Sequence, residues 1–219
     1  MVRYGKYECA LQGEIMTVGQ VIELAKSSEL NGLPIANRDD VILGFLNLGV
    51  LELHKRFALK NEEYVIALED GVDLYKMPAD FMWAVAAYGE VDIRSTEVVN
   101  QLPINEEDNP LSINSVGWNT LQVPVAVAGA YISIIYVASP VTYTIDDMDT
   151  ELDLPPQMVE ALLAYIGYKG NSTIDSGVQT EDNAWYMRFE NSCGKLREYS
   201  MLTSDDMYMN KRLSTRGFV

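Results

Sequence analysis

Hydrophobic positions recur at steps of three and four residues in two stretches near the start of the chain, which is the spacing of amphipathic helices. Thr17 and Gln20 have the spacing of a capping box, so a first helix is predicted over about residues 17–30. The second is predicted over about 38–59 and is apolar on several faces, so we expect more than one neighbour to cover it. The apolar positions are Val18, Val21, Ile22 and Ala25 in the first, and Leu43, Leu46, Val50, Leu53 and Phe57 in the second.

The middle of the chain, about residues 62–145, alternates apolar runs with turn residues, which predicts a β-rich insertion. Asp70-Gly71 separates two such runs and indicates a hairpin with a tight glycine turn. The hairpin strands are predicted at 64–68 and 72–76. Further strands are predicted at 81–88, at 121–127 and at 131–137, the last two joined at Ala128-Gly129.

A second pair of helices is predicted after the β-rich region, at about residues 155–170 and 181–199. Pro155 and Pro156 fit the first turn of a helix, where a missing N–H costs no hydrogen bond. An apolar stripe on each helix predicts that the two pack as an antiparallel hairpin. The residues expected to form this packing are Pro155, Val159, Leu162, Leu163, Ile166, Trp185, Phe189 and Leu196.

These elements predict an α+β protein with one domain over residues 1–199. We expect a helical bundle, built from the N-terminal helices and the C-terminal antiparallel hairpin, that carries the β-rich portion. Residues 101–120 are rich in Asn, Pro, Ser and acids and predict a long loop. Residues 200–219 lack sustained apolar periodicity and predict an extended C-terminal tail that orders on a partner.

The charge of the chain is strongly acidic and unevenly distributed. It holds 32 acids against 16 Lys and Arg, a formal net charge of −16, while 48% of its residues are hydrophobic, as in a folded protein. Such acidity disfavours sequence-independent binding to nucleic acid through phosphate contacts. Residues 207–219, however, contain Lys211, Arg212 and Arg216 and no acid. The sequence therefore describes an acidic body with a basic tail.

Candidate catalytic chemistry is sparse in this sequence. His54 is the one histidine and continues a helical stripe, so a buried structural role is expected rather than a triad or a metal site. Cys9 and Cys193 do not form a zinc motif, and Cys193 falls on an apolar helix stripe. The sequence contains no phosphate-binding glycine motif, and from its pattern we expect neither a signal peptide nor a membrane-spanning segment. We expect no enzymatic activity, no cofactor, no metal and no membrane contact.

Three segments carry a resemblance to a known family. Residues 131–140 form an apolar strand that ends in proline, and an acidic linker leads from it to residues 154–165, which begin Leu-Pro-Pro. Residues 185–190, Trp-Tyr-Met-Arg-Phe-Glu, would begin a second helix. Residues 73–81 end in Met-Pro-Ala-Asp-Phe, similar to a Leu-Pro-x-Asp-Phe motif with Met77 in place of leucine. In this order, over roughly residues 17–199, the chain resembles the head-to-tail adaptor proteins of tailed bacteriophages.

This resemblance implies a structural virion protein located at the neck and made in the host cytoplasm. Family membership implies a ring, usually of twelve copies, that binds the portal and a downstream tail or nozzle protein. DNA would pass through the ring during packaging, retention and ejection as cargo that is not specifically bound. The C-terminal tail would reach along the portal through Met207, Tyr208, Lys211, Arg212, Arg216 and Phe218.

Two other functions stay open at the level of the sequence. The first is another virion component, such as a terminator, tail-tube or tail-hub protein. An acidic-residue hydrolase is the second alternative, because carboxylates are plentiful at 106–108 and 146–149. Solvated acidic runs in loops explain both groups more simply.

Overall fold

The computed structural model describes residues 15–90, 100–124, 131–172 and 184–198. The chain divides into two compact units. Among the described residues, the first takes in those up to Glu52 and those from Val141 to Glu198. The second takes in the described residues from Leu53 to Pro140. Both α-helices and β-strands are present, which makes the protein α+β, as the sequence predicts.

Four α-helices occur in the described residues: α1 (Val18–Ser27), α2 (Asp39–Phe57), α3 (Val159–Ser172) and α4 (Ala184–Glu198). The predicted capping box begins α1: the Gln20 N–H donates to Thr17 Oγ1 at 3.3 Å, and the Thr17 N–H donates to Gln20 Oε1 at 2.9 Å. A short 3₁₀ turn, Pro156–Met158, has proline in its first turn and leads directly into α3. The proline therefore starts this helix at a position where its missing N–H costs no hydrogen bond.

The core of the first unit depends on close helix approach at glycine. The buried stripe of α1 is made by Val18, Val21, Ile22 and Ala25. At Gly49 of α2, an added Cβ would lie 2.6 Å from Leu162 Cδ1 and 3.0 Å from Tyr165 Cδ1 of α3. Only glycine therefore allows these two helices to approach so closely without displacing side chains.

The second unit contains two antiparallel sheets. Strands β1 (Asn61–Ala67), β7 (Tyr131–Ala138), β3 (Phe81–Glu90) and β4 (Asn100–Leu102) form the larger sheet in that order. The smaller sheet has the order β2 (Leu74–Lys76), β6 (Thr120–Gln122), β5 (Asn114–Gly117). Strand β7 is central and its inward residues Ile132, Ile134 and Tyr136 belong to the buried core.

The predicted hairpin of 64–68 with 72–76 is wrong. Strand β1 pairs with β7, with Tyr64 opposite Ile134, whereas β2 pairs with β6, with Tyr75 opposite Leu121. Gly71 does adopt a positive φ of 77°, so the turn exists, but it connects two different sheets. Burial of the apolar strand β7 between two neighbours outweighs the local turn signal. The predicted strands at 121–127 and 131–137 do not pair either, because β6 lies in the smaller sheet and β7 in the larger one. Their predicted junction, Ala128-Gly129, lies outside the described residues.

The expectation of a long loop at 101–120 is wrong in part. This segment includes part of β4, all of β5 and the beginning of β6, and both Ser112 and Ile113 are fully buried. Its connecting residues fold onto themselves: the Ser115 N–H donates to Asn105 Oδ1 at 2.8 Å, and the Glu106 N–H donates to Ser112 Oγ at 2.9 Å. Short polar side chains that bond nearby backbone groups therefore support a compact structure in this segment.

Candidate assembly surfaces

The Met-Pro-Ala-Asp-Phe segment forms a turn between the two sheets of the second unit. The Met77 N–H donates to the Asn119 carbonyl at 2.8 Å, and the Met77 side chain is buried. The Phe81 N–H donates to the Pro78 carbonyl at 3.1 Å, which closes the turn before β3. Methionine therefore fills the same kind of buried position that leucine would fill.

Asp80 joins this turn to the end of strand β7. Its carbonyl accepts a hydrogen bond from the Ser139 N–H at 2.7 Å, and its Oδ1 accepts one from the Tyr136 hydroxyl at 3.2 Å. The rings of Phe81 and Tyr136 lie 5.6 Å apart. Burial, and then the carboxylate of Asp80, raises the pKa of Tyr136 to about 12. Two of the segments that carry the family resemblance thus contact one another directly.

The acidic linker after β7 is fixed in the first unit by a reciprocal hydrogen bond. Asn47 Nδ2 donates to the Tyr143 carbonyl at 2.8 Å, while the Tyr143 N–H donates to Asn47 Oδ1 at 2.9 Å. The buried Tyr143 hydroxyl accepts from the Asp153 N–H at 2.7 Å. Burial raises the pKa of the Tyr143 phenol. The linker is therefore held at both ends by a single tyrosine.

The linker is also capped internally and bonded to the start of α1. Asp147 Oδ2 accepts from both the backbone and the hydroxyl of Thr144 at 2.7 Å, and these bonds lower the pKa of Asp147. The Val18 N–H donates to the Thr150 carbonyl at 3.0 Å, and the Leu152 N–H donates to the Met16 carbonyl at 2.9 Å. The linker is thus an ordered part of the surface of the first unit.

Aromatic contacts join α3 to α4. The Tyr165 and Phe189 rings lie 5.2 Å apart, and those of Tyr168 and Tyr186 also lie 5.2 Å apart. Later residues of α3 thus meet earlier residues of α4. Five of the residues predicted to pack in the hairpin are buried: Leu162, Leu163, Ile166, Phe189 and Leu196. The other three are half-buried: Pro155, Val159 and Trp185.

A charged contact that the sequence did not indicate joins α4 to the residues after α1. Arg188 Nη1 donates to Glu29 Oε1 at 3.2 Å, and the Glu29 side chain is buried. The guanidinium of Arg188 also lies 5.4 Å from the Trp185 ring centre, within range of a cation–π interaction. At Gly167 an added Cβ would lie 3.0 Å from Trp185 and 3.1 Å from Glu29. Glycine on α3 therefore makes room for this contact.

Several large apolar side chains are exposed, which the sequence pattern alone did not reveal. Trp118, at the turn between β5 and β6 in the second unit, is 73% exposed. In the first unit Val141 is 61% exposed and Ile145 is 54% exposed. Large exposed apolar side chains mark a protein-binding surface where they cluster into a patch, so these residues are candidates for such contacts.

The remaining sequence candidates divide between the interior and the undescribed residues. His54 and Cys193 are both buried. Cys9 lies outside the described residues. The proposed portal-binding residues lie outside them too: Met207, Tyr208, Lys211, Arg212, Arg216 and Phe218.

The described part of the chain contains neither a grouped set of metal ligands nor a membrane-spanning helix. Within residues 15–90, 100–124, 131–172 and 184–198, no three His, Cys, Asp or Glu side chains are grouped so as to hold a metal ion. Nor does any helix in these ranges have the length and hydropathy needed to cross a membrane.

The family model of the SU10 adaptor protein matches residues 16–215. The chain belongs to this family. Membership confirms the resemblance to head-to-tail adaptors of tailed bacteriophages, and the adaptor is a structural protein of the virion neck. The match spans both units of the fold and extends into the basic tail.

Two solved structures are similar to the adaptor. One is the neck of an empty GTA particle computed with C6 symmetry, with 10% identity, a TM-score of 0.30, and coverage of 82% of this chain and 93% of that chain. The other is the neck of a native GTA particle computed with C12 symmetry, with 12% identity, a TM-score of 0.27, and coverage of 83% and 94%. No curated protein matches the chain.

Proposed function

We propose that copies of this adaptor form a closed ring, of twelve copies, between the portal and the next tail component. The observation that carries the proposal is the set of exposed apolar side chains on ordered backbone, of which Trp118 and Val141 are the most exposed. An isolated monomer gains nothing from leaving such side chains in water, whereas a ring component can cover them with neighbouring subunits. The ring would surround the path of DNA during packaging, retention and ejection.

The domain organisation that we propose follows from this role. Residues 1–199 form the adaptor domain, a helical bundle that includes the C-terminal antiparallel hairpin and carries the β-rich portion. Residues 200–219 form an extended tail that binds the portal. Apolar residues lie before and after the three cations of the tail, which are Lys211, Arg212 and Arg216. These apolar residues suit a groove on a partner protein. The adaptor would be made in the host cytoplasm and act at the neck.

The acidity of the adaptor suits a channel that DNA must traverse without binding. A net charge of −16 repels the phosphate backbone, so DNA in the ring would be passing cargo. The same charge keeps the subunits soluble before they assemble.

Binding to purified portal tests the proposal directly. We expect the full-length adaptor to co-sediment with dodecameric portal, and mass measurement of the complex to give one adaptor per portal subunit. The proposal is refuted if the protein stays monomeric and does not bind portal at concentrations well above the dissociation constant of a typical protein complex. Binding to purified tail-tube protein alone would favour a different position in the virion.

A further inference from the structure

Three exposed aliphatic side chains lie within two residues of one hydrogen-bonded junction in the first unit. Leu48, which follows Asn47 on α2, is 48% exposed. Val141 and Ile145, each two residues from Tyr143, are more exposed still. Because Asn47 and Tyr143 bond each other reciprocally, these three side chains lie on backbone that is fixed together. We call Leu48, Val141 and Ile145, with the linker acids described next, the linker surface.

Exposed carboxylates border the aliphatic side chains of the linker surface. Asp146, Asp149 and Glu151 are exposed, and none forms an ion pair with another residue of the described chain. The backbone that carries them is held by the bonds of Thr150 and Leu152 to the segment around α1. The surface thus combines apolar side chains with fixed negative charge, and a partner must supply both apolar and positive groups.

The exposed face of α4 offers an apolar side chain, Met187, and a cation, Lys195, of the kinds that the linker surface requires. Ala184, Met187, Asn191, Lys195 and Glu198 follow one another at helical spacing, on the side away from the buried Phe189, and all five are exposed. Lys195 makes no ion pair within the described residues. Next to it, a Cβ added at Gly194 would meet no atom within 4 Å, so this face is open to close approach. We call these residues the α4 surface.

We propose that the linker surface of one copy binds the α4 surface of the next copy in the ring. This inference rests on the ring of the proposed function. The linker surface is held by α1 and α2, whereas α4 packs on α3, so the contact joins two different parts of two identical chains. A contact between unlike surfaces repeats from copy to copy and closes a ring when the rotation permits. Met187 would pack against Val141 and Ile145, with Lys195 facing the linker acids.

Charge exchange between two variants tests this contact. The first variant carries Asn191→Glu and Lys195→Glu, and the second carries Asp146→Lys and Asp149→Lys. Each alone places like charges across every interface, and we expect portal-templated ring assembly to fall by about tenfold or more. In an equal mixture, alternating copies pair opposite charges at every interface, so assembly is expected to recover. Recovery in the mixture also shows that both variants are folded.

A matched control separates the contact from overall charge. The variant Glu107→Lys with Asp108→Lys makes the same change in charge at exposed acids of the second unit. It is expected to assemble as the wild type does. If it fails as the Asp146 and Asp149 variant fails, or if the mixture does not recover, the proposed contact is wrong.

Disulfide trapping gives an independent readout. Ile145→Cys combined with Met187→Cys should give a ladder of linked copies on oxidation, while each single variant gives the wild-type pattern. Rings that form normally but show no ladder overturn the contact and leave the ring intact. A wild-type protein that forms no ring on portal overturns the ring and this contact together.

Discussion

Arg188 on α4 donates to the buried carboxylate of Glu29 at 3.2 Å, across 159 positions of sequence. The guanidinium is partly exposed to solvent and lies over the Trp185 ring, whereas the carboxylate is buried. The contact therefore connects the chain's last described helix to the segment after its first. Loss of the cation leaves a buried negative charge behind, which is more costly than the loss of a surface ion pair.

Replacement of Arg188 by leucine is expected to lower the free energy of unfolding by about 1–3 kcal/mol, because Glu29 loses its charged partner. Glu29→Gln should cost less, since a neutral amide needs no counter-charge. Urea unfolding of both single variants and of the double variant would measure the coupling. Arg38→Leu, which breaks an exposed pair with Asp40, is the control and should unfold as the wild type does. Equal behaviour of Arg188→Leu and the control would contradict the assignment.

Two glycines of α2 are expected to respond to alanine in opposite directions. At Gly44 an added Cβ would meet no atom within 4 Å, so Gly44→Ala should stabilise the protein by about 0.5–1 kcal/mol through helix propensity. At Gly49 the Cβ would lie 2.6 Å from Leu162, so Gly49→Ala should destabilise by about 1–3 kcal/mol through overpacking. Urea denaturation of the pair measures the difference. Stabilisation by both substitutions would show that α2 and α3 do not approach as described.

We predict that ionisation of Tyr136 lowers the stability of the protein at high pH. Its folded-state pKa of about 12 lies above the ordinary tyrosine value of 10.0, because burial and Asp80 disfavour the phenolate. A raised pKa contributes stability that is fully present below the unfolded value and is lost as pH rises from about 10 to 12. The free energy of unfolding should therefore fall across this window, and less steeply in Tyr136→Phe. Identical slopes for the two proteins would contradict the contact with Asp80.

The basic tail is expected to contribute to portal binding through charge. Reversal of Lys211, Arg212 and Arg216 to glutamate should weaken portal binding by about tenfold or more, and added salt should weaken the wild type in the same direction. The matched control exchanges lysine and arginine at the three positions and keeps the charge. Fluorescence anisotropy with labelled adaptor would measure both. Unchanged binding after deletion of residues 207–219 would refute the assignment of the tail.

Local signals in the sequence predicted the helices well. The capping box at Thr17 and Gln20 depends on atoms three residues apart, so the sequence contains all the information required. The proline that begins the segment before α3 is a similar case. The Leu-Pro-Pro and Met-Pro-Ala-Asp-Phe motifs then led to the family, which the match over residues 16–215 confirms.

Long-range pairing could not be predicted from the same signals. The turn at Asp70-Gly71 indicated a local hairpin, but β1 pairs with β7 some seventy positions away because burial of β7 decides the pairing. Neither Glu29 nor Arg188 stands out in the sequence, since each resembles an ordinary surface residue until the fold brings them together. The exposure of Trp118 and Val141 likewise depends on what the rest of the chain does not cover. Exposed apolar side chains are therefore visible only in the folded protein.

A cryo-EM reconstruction of the virion neck, made without imposed symmetry, tests the central claim most directly. The account predicts a closed ring of twelve adaptor copies in direct contact with the portal, with α4 of each copy against the linker of its neighbour. Adaptor density away from the portal, or copies that do not form a closed ring, would contradict it.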